Sequence, residues 1–231
     1  MKTLFTIFLF VLITALGCQV EEPTDLKIYG LKGKVKSMHS RSYSSLDHLN
    51  MEGKSFLSES SSFFNENGNI YKSVDTIYEN GEVKETLTTE YYFLKDGSKK
   101  GYKIYNQEGI IETGTYKFLS SKKYEIKAVD SDGFEIRSVF HLTSNGRDKK
   151  GVSEYYYDNE YISTYSYFNQ LNADENFISS QFAIEPDGDN WITEYKMKNP
   201  DQKGNMKELH LINKEKDSLE KVIIRHIEYF E

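Results

Sequence analysis

The chain predicts an all-β fold, an up-and-down antiparallel meander of hairpin repeats, and two observations carry that prediction. Turn signals recur along most of its length: Asn67-Gly68, Asn80-Gly81, Asp96-Gly97, Glu108-Gly109, Asp132-Gly133, Asn145-Gly146, Asp158-Asn159 and Asp187-Gly188. The glycine steps from Gly68 to Gly109 run from 12 to 16 residues, room for one strand of roughly eight to ten residues and a tight turn. Between the turns the sequence alternates with period two: Phe134, Ile136, Ser138, Phe140 and Leu142 on one face, Glu135, Arg137, His141 and Thr143 on the other.

Element by element, Thr24 or Asp25 caps a single helical turn that runs to Tyr29 and stops at Gly30. From Gly33 onward no helical period stands out and the turns take over. Asn-Gly and Asp-Gly suit type I′ hairpins, whose two central residues both need positive φ. Tyr124, Ile126 and Ala128 repeat the alternation against Glu125 and Lys127. Near the C-terminus the β-branched and aromatic "VIIRHIEYF" predicts a last hairpin around Lys214 to Asp217.

Ten to thirteen strands follow, in a single domain over residues 31–231. Composition agrees with a sheet whose faces are both partly wet: hydrophobic residues make up only 38%, but there are 18 tyrosines, which bury a ring while the hydroxyl stays solvated. Both faces read as mixed; Tyr155 and Tyr157 alternate with Val152, Glu154 and Tyr156. The expectation is therefore an open, curved and twisted sheet, with a closed lipocalin-like barrel as the alternative.

The N-terminus carries an address. Lys2 precedes an uncharged, mostly apolar stretch from Leu4 to Ala15, the length of a secretory segment and too short to span a bilayer as a helix. Ala15-Leu16-Gly17-Cys18 resembles the lipobox of bacterial lipoproteins, and Cys18 is the only cysteine, so no intramolecular disulfide is available. The resemblance implies a signal peptide over 1–17, a diacylated Cys18 and a lipid-anchored spacer over 18–30. Gln19, in place of the retention aspartate, implies the outer membrane, and Glu21 and Glu22 resemble acidic surface-export tags, so display is periplasmic or cell-surface.

Leu31 to Ser44, the run from Phe63 to Gly97, "DGDNWITEYKM" and the final "IEYF" resemble functionally unassigned bacterial lipoproteins built from degenerate YD/RHS-like repeats, and the Tyr-x-x-Gly hairpins resemble MORN-type repeats. The resemblance implies β-hairpin repeats without a catalytic apparatus. The tyrosine-aspartate dipeptide itself occurs only at Tyr157-Asp158.

The residues point the same way. A formal net charge of -7 leaves no basic footprint for nucleic acid. His39, His48, His141, His210 and His226 are scattered without metal-ligand spacing, so no metal site is predicted. Nucleophile elbow, phosphate loop and dinucleotide fingerprint are all missing, so neither a cofactor nor an enzyme is expected. Asp130 to Glu135 and Asp187 to Asn190 faintly resemble calcium loops but serve as turns.

The unusual local feature is Glu154 to Phe168, with six tyrosines around one hairpin. Tyr155 with Tyr157, and Tyr161 with Tyr165 and Tyr167, share strand faces by spacing and are the candidate contacts for a ligand or for an envelope protein or glycan partner. Trp191 reads as a buried anchor. The expected function is a non-enzymatic binding or interaction module held at the cell envelope, the alternative a lipocalin-like carrier of an apolar small molecule. Cys18→Ala should move the protein from the membrane pellet to the soluble fraction in cell fractionation; a variant that stays in the pellet would refute the acyl anchor.

Overall fold

The computed structural model describes residues 22–44 and 56–231. Cys18, the lipobox and His48 lie outside the described residues. A short helix α1 (Asp25–Tyr29) is followed by fourteen strands: β1 (Val35–Ser44), β2 (Ser58–Phe64), β3 (Ile70–Glu79), β4 (Glu82–Phe93), β5 (Lys99–Tyr105), β6 (Ile110–Ser120), β7 (Lys123–Asp130), β8 (Glu135–Leu142), β9 (Asp148–Tyr157), β10 (Glu160–Leu171), β11 (Phe177–Glu185), β12 (Asp189–Pro200), β13 (Met206–Asn213) and β14 (Ser218–Tyr229). Each strand pairs antiparallel with the next, and β1 pairs with β14 from Val35↔Tyr229 to Ser44↔Lys221. The meander and its last hairpin are as the sequence predicts. The sheet is not open: it closes into a barrel with no free edge, which removes the unpaired N–H and C=O rows that an open sheet would present.

Two kinds of hairpin turn divide the ends of the barrel. Asn80-Gly81 and Asp158-Asn159 have positive φ at both residues and fit the expected type I′ form. At Asn67-Gly68, Asp96-Gly97 and Asn145-Gly146 only the glycine is left-handed. These belong to a five-residue turn, in which residue 1 donates its N–H to the carbonyl of residue 5 and residue 4 donates back to residue 1. It recurs at 65–69, 94–98, 143–147, 172–176 and 201–205, all at the same end of the barrel because every second connection of a meander returns there. A sixth, 130–134, sits at the opposite end.

The side chain of residue 1 fixes this shape in every one of these turns except 94–98, where residue 1 is Leu94 and Asp96 caps the Ser98 N–H instead. The Asn65 Oδ1 accepts from the N–H groups of Asn67 and Asn69, and Asn172 and Asp201 do the same in their own turns. Asp130 spends its Oδ1 likewise on Asp132 and Phe134, which accounts for one of the faint calcium-loop resemblances as turn chemistry. Residue 4 carries the positive φ, so glycine stands there in four of the five clustered turns; Glu175 is the exception, at φ 59°.

Helix α1 is held at that end. Thr24 caps it, its Oγ1 accepting from the Lys27 N–H, and Gly30 ends it in the left-handed region at φ 65°, as the sequence predicts. Residue 5 of the recurrent turn supplies the clamps. Asn69 accepts from the Asp25 N–H, the Arg147 guanidinium donates to the Ile28 carbonyl at 2.9 Å, and Asn205 both accepts from and donates to the Lys32 backbone. Leu26 and Leu31 pack on the buried cluster of Val35, Phe64 and Ile70, which draws in Met38, Tyr91, Ile227 and Tyr229. From Asp25 onward the expected spacer is thus part of the barrel's filling.

The strongest tie is ionic. Lys99, 8% exposed, reaches both oxygens of Asp25, 5% exposed, at 2.6–2.7 Å, and the Asp25 Oδ2 also accepts from the Ile70 N–H at 2.6 Å. The ammonium also lies 4.4 Å over the Tyr91 ring. Burial depresses the Lys99 ammonium and Asp25 opposes that shift. Removing one member of a buried pair strands the other, so Asp25→Ala should cost about 3–5 kcal/mol in urea unfolding. A loss below about 1 kcal/mol, the worth of an exposed pair, would show that α1 is not a buried plug.

Candidate functional site

Which face of the sheet lines the interior follows from α1 and the strand register. Met38 and Tyr91 pack against the cluster that holds α1, so they point inward. Residues paired across strands share a face, which carries the assignment around the ring: Tyr91↔Tyr102↔Gly114↔Ala128↔Ile136↔Tyr155, and Gly151↔Tyr167↔Phe182↔Trp191. The inner wall is aromatic and aliphatic, with small hydroxyls among the rings. The mixed alternation in the sequence is this wall seen one strand at a time.

Inside, the rings touch in series. Tyr91 lies 6.1 Å from Tyr102, Tyr102 5.9 Å from Tyr116 and Tyr124 stacks on Phe140 at 4.8 Å; Phe182 stacks on Trp191 at 5.1 Å. Two strand glycines make room. A Cβ at Gly114 would stand 2.2 Å from the Tyr102 ring, and one at Gly151 2.5 Å from the Tyr167 ring, so each ring lies flat on bare backbone.

Eight strands give a barrel whose side chains just fill it; fourteen enclose more space than inward rings occupy. Tyr29 demonstrates the space. Tyr91, Asp25, Asp148 and Asp75, from α1 and three separate strands, all act electrostatically on its hydroxyl, and yet the residue is 51% exposed. It stands in an enclosed hollow, and its hydroxyl is pushed well up, mainly by burial.

The outer wall has the opposite chemistry. Glu90 pairs with Lys103, Lys117 with Glu125, and Lys127 with Arg137, which pairs in turn with Glu154. Arg41 and Glu59 form an exposed bridge at 2.5 Å. A lysine or arginine facing lipid at mid-bilayer costs about 2–4 kcal/mol, which weighs against lipid on this face, although Tyr92, Val129, Val152 and Phe168 stand exposed among the charges. The described histidines take no part in the lumen's aromatic series: His39 bonds Ser61, and His210 pairs with Glu208. No group of three metal-ligating side chains occurs among the described residues.

The five candidate tyrosines are split. Tyr155, Tyr165 and Tyr167 point into the lumen, and Tyr167 donates to Asp148 at 2.6 Å. Tyr157 and Tyr161 stand at the far rim, 44% and 49% exposed, the first beside Phe134 at 4.9 Å. A register shift between Tyr161 and Ser163 takes Tyr161 off the face that spacing alone gives it. Trp191, expected as a buried anchor, is a half-buried lumen residue.

Two groups that the sequence did not single out are left unsatisfied among the described residues: the Asp148 Oδ1 and the Arg225 Nε. Asp148 uses its other oxygen on Tyr167 and Asn169, and burial raises its carboxyl. Tyr167→Phe removes the shorter of those bonds from a buried carboxylate and should cost about 1–3 kcal/mol in urea unfolding. The rim control Tyr161→Phe should stay within about 0.5 kcal/mol; equal losses would refute the division between lumen and rim.

No protein-family profile matches the chain, and no curated protein does. Among solved structures it is similar to a porin-like protein from Bacteroides vulgatus ATCC 8482, with a TM-score of 0.44 and 10% identity over 85% of this chain and 98% of that one. It is similar also to a porin-like protein from Bacteroides uniformis ATCC 8492, with a TM-score of 0.42 and 9% identity over the same shares of the two chains.

Proposed function

We propose that this is a binding protein of the cell envelope that holds an apolar or amphipathic small molecule inside its barrel, anchored at the outer membrane through an acylated Cys18. The observation that carries the reading is the distribution of residue types across the wall: charge pairs outside, touching aromatic rings inside, and unfilled space between them. A water-facing barrel with such an interior offers an apolar solute what bulk water denies it, and rigid rings give contact area at low entropic cost. The lipobox resemblance and Gln19 support the anchor and the outer-membrane address.

Binding without catalysis is part of the proposal. The groups that burial perturbs in the lumen are chiefly tyrosines, raised and therefore protonated at neutral pH, which suits hydrogen bonding to a guest more than proton transfer. The rim tyrosines, Tyr157 and Tyr161, are the surface favoured for an envelope protein or glycan partner, being exposed aromatics, the first beside Phe134 and the second beside Tyr156.

The test is a chain beginning at Gln19, which retains every described element, expressed in a periplasm and purified without detergent. Native mass spectrometry should show a discrete adduct of small-molecule size, and apolar ligands should change the fluorescence of Trp191, the sole tryptophan. A ligand-free mass together with an unresponsive Trp191 would sink the reading.

A further inference from the structure

Arg225 sits in the middle of β14 opposite Ser40, on the inward face it shares with Ile223 and Ile227. It has no hydrogen-bond or ion-pair partner among the described residues, and its Nε is buried and unsatisfied. The side chain as a whole is half-buried, and a guanidinium withdrawn this far from water without compensation is costly to keep and commonly marks a missing partner. It borders an 80 Å³ cavity at the α1 end, together with Tyr29, Met38, Arg147, Met197 and Leu209.

The second guanidinium in that cavity is already engaged. Arg147 donates to the carbonyls of Glu175 and Ile28, lies 4.6 Å over the Phe177 ring, and has the charges of Glu175 and Asp148 nearby. Arg225 has no such compensation: burial and the charge of Arg147 together push it down to about 10. One positive charge in the cavity is therefore left over.

We infer that Arg225 binds the carboxylate of an amphipathic monoanion whose apolar tail lies along the inner wall of β12–β14. One uncompensated charge calls for one negative charge. The planar fork of a guanidinium matches a carboxylate through two parallel bonds, and a cavity of this size suits a compact head rather than a bulky one. From it an apolar row leads along the lumen, Met197 and Leu209 beside Ile223, then Tyr195 and Leu211, where Lys221 of β14 closes the row. This inference rests on the proposed lumen-binding function and names the class of guest.

The experiment titrates the chain from Gln19 onward with dodecanoate and with 1-dodecanol, reading Trp191 fluorescence. Wild type should bind the acid at least about tenfold tighter than the alcohol, the scale of one charge-assisted bidentate contact. Arg225→Met should bring the two affinities together by weakening the acid alone, and Arg225→Lys should keep part of the preference. Arg225→Met should also raise the urea midpoint of the ligand-free protein, because it removes a stranded charge; a side chain that served the fold would lower it.

Equal binding of acid and alcohol by wild type would overturn the carboxylate site while leaving the lumen reading intact, and so would a preference that survives Arg225→Met. Should neither compound bind, both readings fall. If Arg225→Met does not fold, the wild-type comparison and Arg225→Lys still decide.

Discussion

Everything in this molecule depends on β1 reaching β14. Thirteen of the fourteen strand pairings join neighbours in sequence; the remaining one spans the chain and turns a ribbon into a container. Without it the inward rings would face water on an open sheet, and β1 and β14 would be free edges prone to pair with other chains. With it, a wall that reads as half polar acquires an inside and an outside. The aromatic lumen is thus a property of closure, and no single strand possesses it.

Closure alone would leave a ring open at both ends. At one end the recurrent five-residue turn does two jobs at once. Its first residue fixes the backbone, and its fifth points a side chain at the N-terminal segment, so that Asn69, Arg147 and Asn205 converge on a helix too short to be stable by itself. The buried Lys99–Asp25 pair completes the hold. The lumen's unpaired guanidinium borders a cavity at this end, where polar groups are already numerous and one more is accommodated by the same architecture.

The hairpins were legible because turn chemistry and period two are local. So were α1, through Thr24 and Gly30, and the last hairpin, through its β-branched run. Closure was legible only as the alternative of a closed barrel, since it depends on a pairing between residues nearly two hundred positions apart, and alternation of mixed faces does not reveal a common interior. The turn type at Asn67, Asp96 and Asn145 was missed because the dipeptide alone does not distinguish a type I′ turn from a longer loop with a single left-handed residue; the capping residue two places before the Asn, Asn65 or Thr143, was the available signal. Tyr161 was misplaced by a bulge. Arg225 looked like one charge among several in "VIIRHIEYF", and only the register with Ser40 turns it inward.

The up-and-down order of the strands also sets a timetable. Contacts between sequence neighbours form quickly and cheaply, whereas bringing distant segments together costs loop-closure entropy that rises with their separation. In a chain made from its N-terminus, hairpins can assemble one by one, but β1 has to wait for β14 before its second edge is satisfied. Until then there is no hollow to fill. Enclosure therefore requires β14, and a truncation that removes it leaves an unsealed sheet of thirteen strands, a far greater change than the loss of one strand in fourteen suggests.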